Sequence, residues 1–292
     1  MNDYIIKASR FVGRRFLKFL PDEPYLKMMF YVRMDQKLDL KSPKTFNEKL
    51  NWLKLHDRKK IYVVMADKLK AKEFVSNMIG EEYIVPVYAA WDSVNDINCD
   101  ELPNKFGLNT NHDSGSVRIC KDRAIFDKKE ALNVLNKSMK HNYFYFAREW
   151  PYKNIERKIF AEKYLEMGDA LIDYKVMCFN GEPKIIQVNY VSETRHTQDF
   201  YDVNWELTEI SQEYYAPCSG CKTEKPKFLD LMIEKSRILA QNTYFLRVDW
   251  FEAEGKLYSG ELTFFDGAGF DPYDDIKMDE YLGKLLVLPI DN

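Results

Sequence analysis

RVDWFEAEGKLYSGELTFF, from Arg247 to Phe265, decides the fold. It reads as two strands around one glycine, with two acids aimed at each other. An odd-length turn with a left-handed glycine puts Gly255 at the centre. Val248 then faces Leu262, and Leu246 faces Phe264, so the core side is apolar. The other side pairs Phe251 with Ser259, Asp249 with Glu261 and Arg247 with Thr263. This register accounts for the hydrophobic pattern, and a bulge would shift it by one. Directly opposed carboxylates lie about 5 Å apart and repel. Water on an exposed face, neutralisation by Arg247, a raised pKa or a bound cation each relieves that repulsion. Magnesium suits the last case, because hard cations take carboxylate oxygens and keep positions open for phosphates. The hairpin alone leaves these alternatives open.

The chain has 292 residues, 46% hydrophobic, enough for one large domain or two modest ones. Its 43 basic and 46 acidic residues nearly cancel, which argues against nucleic acid as the partner. Five cysteines, an odd count, point to a reducing compartment and away from a disulfide framework. Cys218 and Cys221 form a lone CSGC, without the further ligands a zinc site needs, and read as loop cysteines. The apolar runs are too short to span a bilayer. MNDYIIKASRFVGRRFLKFL lacks a signal-peptide layout and reads as a basic amphipathic helix. It either packs on the domain or meets an anionic membrane surface or a membrane-bound partner. The expected location is cytoplasmic, up to the inner face of the membrane.

Residues 1–60 look helical, with Phe46, Leu50, Leu53 and Leu55 at roughly helical spacing. A helix from Asp67 stops at Gly80, and YIVPVYAAW follows as a strand. FGLNTN and SVRIC flank the turn HDSG, and DKKEALNVLNKSMK is a helix. KIFAEKYL, DYKVMCFNG and PKIIQVNYV are strands, the last two joined at Asn180–Gly181. A helix covers Lys227 to Gln241 before the opening hairpin. Blocks of helices and mostly antiparallel strands indicate an α+β fold with two sheets.

Several stretches resemble one family. ADKLKAKEFVSNMIGEEYIVPVY, FAEKYLEMGDALIDYK and RVDWFE…GELT resemble, in order, the opening segment, adenine hinge and metal hairpin of ATP-grasp enzymes. FNEKLNWLKLHDR, the NHxSG turn, AREWPYKNI, DYKVMCFNG and GELTFFDGAGFDP are similar to the TupA-like ATP-grasp family over about residues 44–275. That family is associated with bacterial surface polysaccharide and teichuronopeptide synthesis, and its members are often labelled glycosyltransferases. The resemblance implies an ATP-grasp fold in which two α+β subdomains clamp a nucleotide between antiparallel sheets. A helical extension would occupy 1–60 and the ATP-grasp-like domain 61–292, with the cleft between about 100–165 and 166–275.

It also implies residue roles. Glu162, Lys163 and Leu165 would meet adenine, Asp169 the ribose hydroxyls, and Lys68 and Lys175 the phosphates. Asp249 and Glu261 would hold magnesium, and Thr263 stands where many ATP-grasp enzymes carry an asparagine metal ligand. Arg247 would steady charge on an acyl phosphate. The phosphate loop, Asn109 to Gly115, includes Asn111 and Ser114; His112 there is a candidate base or phosphate contact. Arg148, with Glu149, and Arg195, with His196, are candidate substrate contacts. Where relatives commonly show Lys-Cys-Asn-His-Gly-Ser-Gly, this chain has Asn109 for the cation and Asp113 for a glycine. Losing a phosphate-facing cation and adding an acid where phosphates should lie are each expected to weaken ATP binding.

The leading functional expectation is an ATP- and magnesium-dependent carboxylate–amine ligase acting through an acyl phosphate on a small-molecule or glycan-intermediate substrate. A glycosyltransferase using a nucleotide sugar in the same cleft is the alternative, although the chain contains no Asp-x-Asp. A non-catalytic relative that binds a biosynthetic partner is the third. GxxxxGK[ST], a kinase Gly-rich loop and HExxH are all absent.

Overall fold

A computed structural model describes residues 17–168, 171–192, 196–213, 215–217 and 223–291. Residues 1–16 of the basic N-terminal segment, Asp169, Arg195, Cys218 and Cys221 lie outside the described residues. Helices α1 (Asp22–Met34), α2 (Phe46–His56), α3 (Ile61–Ala66) and α4 (Lys68–Ile79) precede the first strand. Strands β1 (Val87–Trp91), β2 (Phe106–Thr110), β3 (Arg118–Cys120) and β4 (Ile159–Lys163) form a sheet in the order β1-β4-β2-β3. Helices α5 (Lys128–Met139) and α6 (Phe144–Ala147) separate β3 from β4.

The larger sheet contains β5 (Leu171–Phe179), β6 (Glu182–Val191), β7 (His196–Asp202), β8 (Phe245–Ala253) and β9 (Lys256–Thr263), ordered β7-β6-β5-β8-β9. Every pairing in both sheets is antiparallel. Helix α7 (Leu229–Leu239) covers one face of the larger sheet, where Trp250 Nε1 donates to Ser236 Oγ at 2.8 Å. Val176, Ile186, Val188 and Val248 are buried on that face. Among the described residues, no helix is long and apolar enough to cross a membrane.

The hairpin departs from expectation at its tip. Ala253 pairs with Lys256, so the turn has two residues, Glu254 and Gly255, with φ of 54° and 73°. Positive φ at both positions suits the right-handed twist of the flanking strands. Phe251 consequently faces Tyr258 rather than Ser259. A register shift between Val248 and Trp250 then restores the expected pairs Arg247–Thr263 and Val248–Leu262. Asp249 lies at that irregularity. Asp249 and Arg247 are buried, 3% and 8% exposed, while Glu261 and Thr263 on the neighbouring strand are half-buried.

The expected helical extension shares the core of the domain. Phe46, Leu50, Trp52 and Leu53 belong to the same buried cluster as Val176, Phe179 and Phe245. Residue 60 therefore does not divide the core. Thr45 and Glu48 close a reciprocal cap on α2. The last helix, α8 (Ile276–Leu285), crosses just before α2, and a Cβ on Gly283 would stand 2.1 Å from the carbonyl oxygen of Lys44. Gly283→Ala is thus expected to destabilise the whole domain by about 2 kcal/mol or more, as overpacking does. Urea denaturation should show this as a lower midpoint in a single transition.

Candidate active site

The segment that resembles an adenine hinge is apolar. Leu165 is buried with Val85, Ala253 and Tyr258, and Met167 and Phe251 pack against them. Phe251, Ala253 and Tyr258 come from the β8–β9 hairpin, and Val85, Leu165 and Met167 from the segments flanking β1 and β4. Glu162 pairs with Lys72 at 2.9 Å, Lys163 pairs with Glu254, and the Lys163 amide donates to the Pro86 carbonyl at 2.9 Å. Both side chains thus brace the hinge.

The phosphate loop is tied together by its acids. Asp67 caps α4 through the amides of Leu69 and Lys70 and also accepts from Asn111 Nδ2 at 2.9 Å. Lys68 Nζ donates to the Asp113 carbonyl at 2.5 Å. The Asp113 carboxylate accepts from Thr110 Oγ1 (2.6 Å), Ser116 Oγ (2.6 Å) and Ser138 Oγ (2.5 Å). Burial opposes its charge, but these hydroxyls and Lys68 hold its pKa below the ordinary aspartate value. The acid expected to repel phosphates is instead turned inward and anchors the loop to α5. Asn109 Oδ1 likewise shapes the loop, accepting from the Thr110 amide and Ser116 Oγ. Ser114 and Gly115 are exposed at its tip. His112 is 2% exposed and packs against α5, its Nε2 3.3 Å from the Ser138 carbonyl. Burial lowers its pKa, favouring a neutral ring.

The opposite end of the β8–β9 hairpin carries a dense charge cluster. Arg247 Nε and Nη2 each lie 2.7 Å from an oxygen of Asp249, and Nη2 also donates to Glu261 Oε1 at 2.9 Å. Arg247 Nη1 reaches Asp266 Oδ1 at 2.5 Å. Lys175 Nζ bridges Asp249 Oδ2 (2.8 Å) and Asp173 Oδ2 (2.6 Å). Thr263 Oγ1 donates to Glu261 Oε1 at 3.0 Å and so orients that acid. The cause lies in the strands: Lys175 pairs with Asp249 across β5–β8, and Arg247 with Thr263 across β8–β9. Beneath them Glu149 is buried, its pKa raised to about 7 by burial despite nearby Lys54. Lys54 is itself pushed down to about 7, chiefly by burial.

Arg148 does not join this cluster. It is 1% exposed, stacks 4.2 Å from the Tyr25 ring and donates to the carbonyls of Leu17 and Leu20. His196 packs its ring 4.5 Å from that of Tyr215. Asp173 and Asp266 were not singled out in the sequence, yet both take up charge here. Asp173 had a signal: it lies two residues before Lys175, on the same face of a strand.

The TupA-like ATPgrasp family profile matches residues 48–287. The chain belongs to the TupA-like ATP-grasp family. No curated protein matches the sequence significantly. Solved structures similar to this TupA-like chain include the D-alanine–D-alanine ligase of Bacillus anthracis, at 18% identity and TM-score 0.41, covering 68% of this chain and 57% of that one. The Helicobacter pylori D-alanine–D-alanine ligase has 13% identity and TM-score 0.45, with 83% and 69% covered. A RimK domain ATP-grasp protein from Sphaerobacter thermophilus has 10% identity and TM-score 0.40, with 76% and 67% covered. This chain therefore spans little more than half the length of the first of these ligases.

Magnesium can be tested against the TupA-like cluster as it stands. Among the described residues, no group of three or more His, Cys, Asp or Glu forms a ready metal cage. Asp249 Oδ2 and Glu261 Oε1 nevertheless converge on one cationic atom, Arg247 Nη2. Two hard oxygens around one cationic position fit an ion that keeps its remaining places for water and phosphate. Asp249 and Glu261 would hold it, with Thr263 orienting Glu261.

Glu149 gives this TupA-like domain a pH signature. Its folded pKa of about 7 stands above the reference 4.5, so its proton is bound more tightly when folded. The stability it contributes is fully present below pH 4.5 and is lost as pH rises through 7. Glu149→Gln should therefore gain on the wild type by about 2–3 kcal/mol between pH 5 and pH 8. Urea titrations across that range measure the difference.

Proposed function

We propose that the protein is an ATP- and magnesium-dependent carboxylate–amine ligase acting on a small-molecule or glycan intermediate of bacterial cell-surface polysaccharide. One observation carries the reading: an apolar cluster and the Arg247–Lys175–Asp249–Glu261 cluster lie at opposite ends of the β8–β9 hairpin. The first suits a purine ring and the second a reacting phosphate. Family membership supports the same nucleotide. The inward-turned Asp113 removes one of the two reasons to expect weak ATP binding, and the missing cation at Asn109 is the other.

In this reading a substrate carboxylate oxygen attacks the γ-phosphorus of ATP. The bond to the bridging oxygen breaks, and ADP leaves. An amine nitrogen then attacks the acyl carbon, phosphate departs and the nitrogen loses a proton. Arg247 and Lys175 supply fixed positive charge in a water-poor site, where it stabilises growing negative charge most strongly. Magnesium, when bound, would neutralise phosphate charge at Asp249 and Glu261. A cytoplasmic location at the inner membrane face, with the basic N-terminal segment as the contact, belongs to this proposal.

Thermal shifts with ATP, ADP, UDP and GDP in magnesium test it. ATP and ADP should raise the melting temperature. Stabilisation by UDP or GDP but not by adenine nucleotides would replace the ligase with a nucleotide-sugar transferase. No shift from any nucleotide at millimolar concentration would leave only a non-catalytic binding role.

A further inference from the structure

The polar face of the larger sheet does not end at Lys175. Across β5, β6 and β7 the register sets Lys175 beside Gln187, and Asp173 beside Asn189, which in turn faces Gln198. Directly paired residues share a face, so this row continues the surface that carries Asp249. Asn189 Oδ1 sits at its centre and accepts from Gln187 Nε2 (3.4 Å) and Gln198 Nε2 (3.1 Å). Those bonds set which way each glutamine amide points. Gln187 Oε1, Gln198 Oε1 and Asp173 Oδ1 are then buried with no hydrogen-bond partner. Both glutamines are 4% exposed.

A buried acceptor left without a donor destabilises a fold. The opposite face of the same strands avoids this with Val176, Ile186 and Val188. Three open acceptors on neighbouring strands beside the charge cluster point to a ligand that brings the donors. All three are acceptors and one belongs to a carboxylate. The complementary group is cationic and donor-only, as an ammonium is with its three N–H bonds. A triphosphate, itself negative and rich in acceptors, does not fit.

We propose that Asp173, Gln187 and Gln198 seat the amino group of the amine-bearing co-substrate, beside the Lys175–Asp249 pair. The proposal rests on the ligase reading, which requires an amine within reach of the acyl phosphate. It concerns binding alone.

The test compares the full chain with the double variant Gln187→Met/Gln198→Met, which keeps side-chain length and removes both amide acceptors. The probes are amino acids and amino sugars at millimolar concentration, each beside its N-acetyl counterpart. At least one free amine should stabilise the wild type where its N-acetyl form does not. Its affinity should fall about tenfold or more in the variant, the scale of one lost buried hydrogen bond. The affinity for ATP should hold, and the variant should melt close to the wild type, because losing two donors to the half-buried Asn189 is offset by removing two unsatisfied acceptors. Absence of any amine shift, an equal shift from the N-acetyl forms, or unchanged amine affinity in the variant overturns the proposal. A variant that melts well below wild type makes the glutamines structural and also overturns it. Failure of ATP and ADP to bind the wild type sinks the ligase reading instead, and the amine comparison is read independently of it.

Discussion

Replacing Asp249 with Asn and Glu261 with Gln together should remove the magnesium-dependent part of ATP affinity, a loss of about 100-fold. The two carboxylates meet at one point, Arg247 Nη2, and both offer hard anionic oxygens to a cation there. Amides keep the shape and can still accept from Arg247, while Asp266 retains its own bond to that arginine. The fold should therefore survive, which circular dichroism can verify. Calorimetry of ATP binding with magnesium and with a chelator isolates the metal-dependent increment. An increment that persists in the double variant would show that magnesium is held elsewhere or not at all.

The second large effect concerns stability. Arg247 joins Asp249, Glu261 and Asp266. Arg247→Met would leave buried carboxylates with less compensating charge, and breaking such a network costs about 3–5 kcal/mol. The sign of the pH dependence follows. In the wild type the Asp249 pKa lies below its ordinary value: burial raises it, but Arg247 and Lys175 together outweigh burial. Asp249 thus contributes stability above its unfolded pKa that is lost as pH falls through the folded value. Without Arg247 that depression shrinks or reverses. The variant's deficit should be larger at pH 5 than at pH 3, on either side of the ordinary aspartate value of 3.8, as measured by urea denaturation. A deficit equal at both pH values would show that the arginine acts through packing rather than charge.

Much of the site was legible because it lies on regular strands. Alternation along RVD places Arg247 and Asp249 on one face, and the β5–β8 pairing then sets Lys175 beside them. The hairpin tip was less legible: a two-residue turn plus a bulge gives the same outer register as an odd-length turn without one. Strand β7 escaped detection because its buried residues include Thr197, Gln198 and Asp199, which carry no apolar alternation. The same polarity underlies the proposed amine seat. Asp113 was misread because a sequence shows that a charge is present but not which hydroxyls surround it. Ser138, one of its partners, comes from α5.

By itself the sequence determined the α+β class, the family and the hairpin face that carries Arg247, Asp249 and Glu261. Those follow from local period and motif order, which are properties of the chain. Only the tertiary structure decided that Arg148 packs on Tyr25, that Asp113 turns inward, that α2 shares the core, and that Asp173 and Asp266 complete the cluster. Each depends on residues distant in sequence, where burial and charge are set by what the fold brings together.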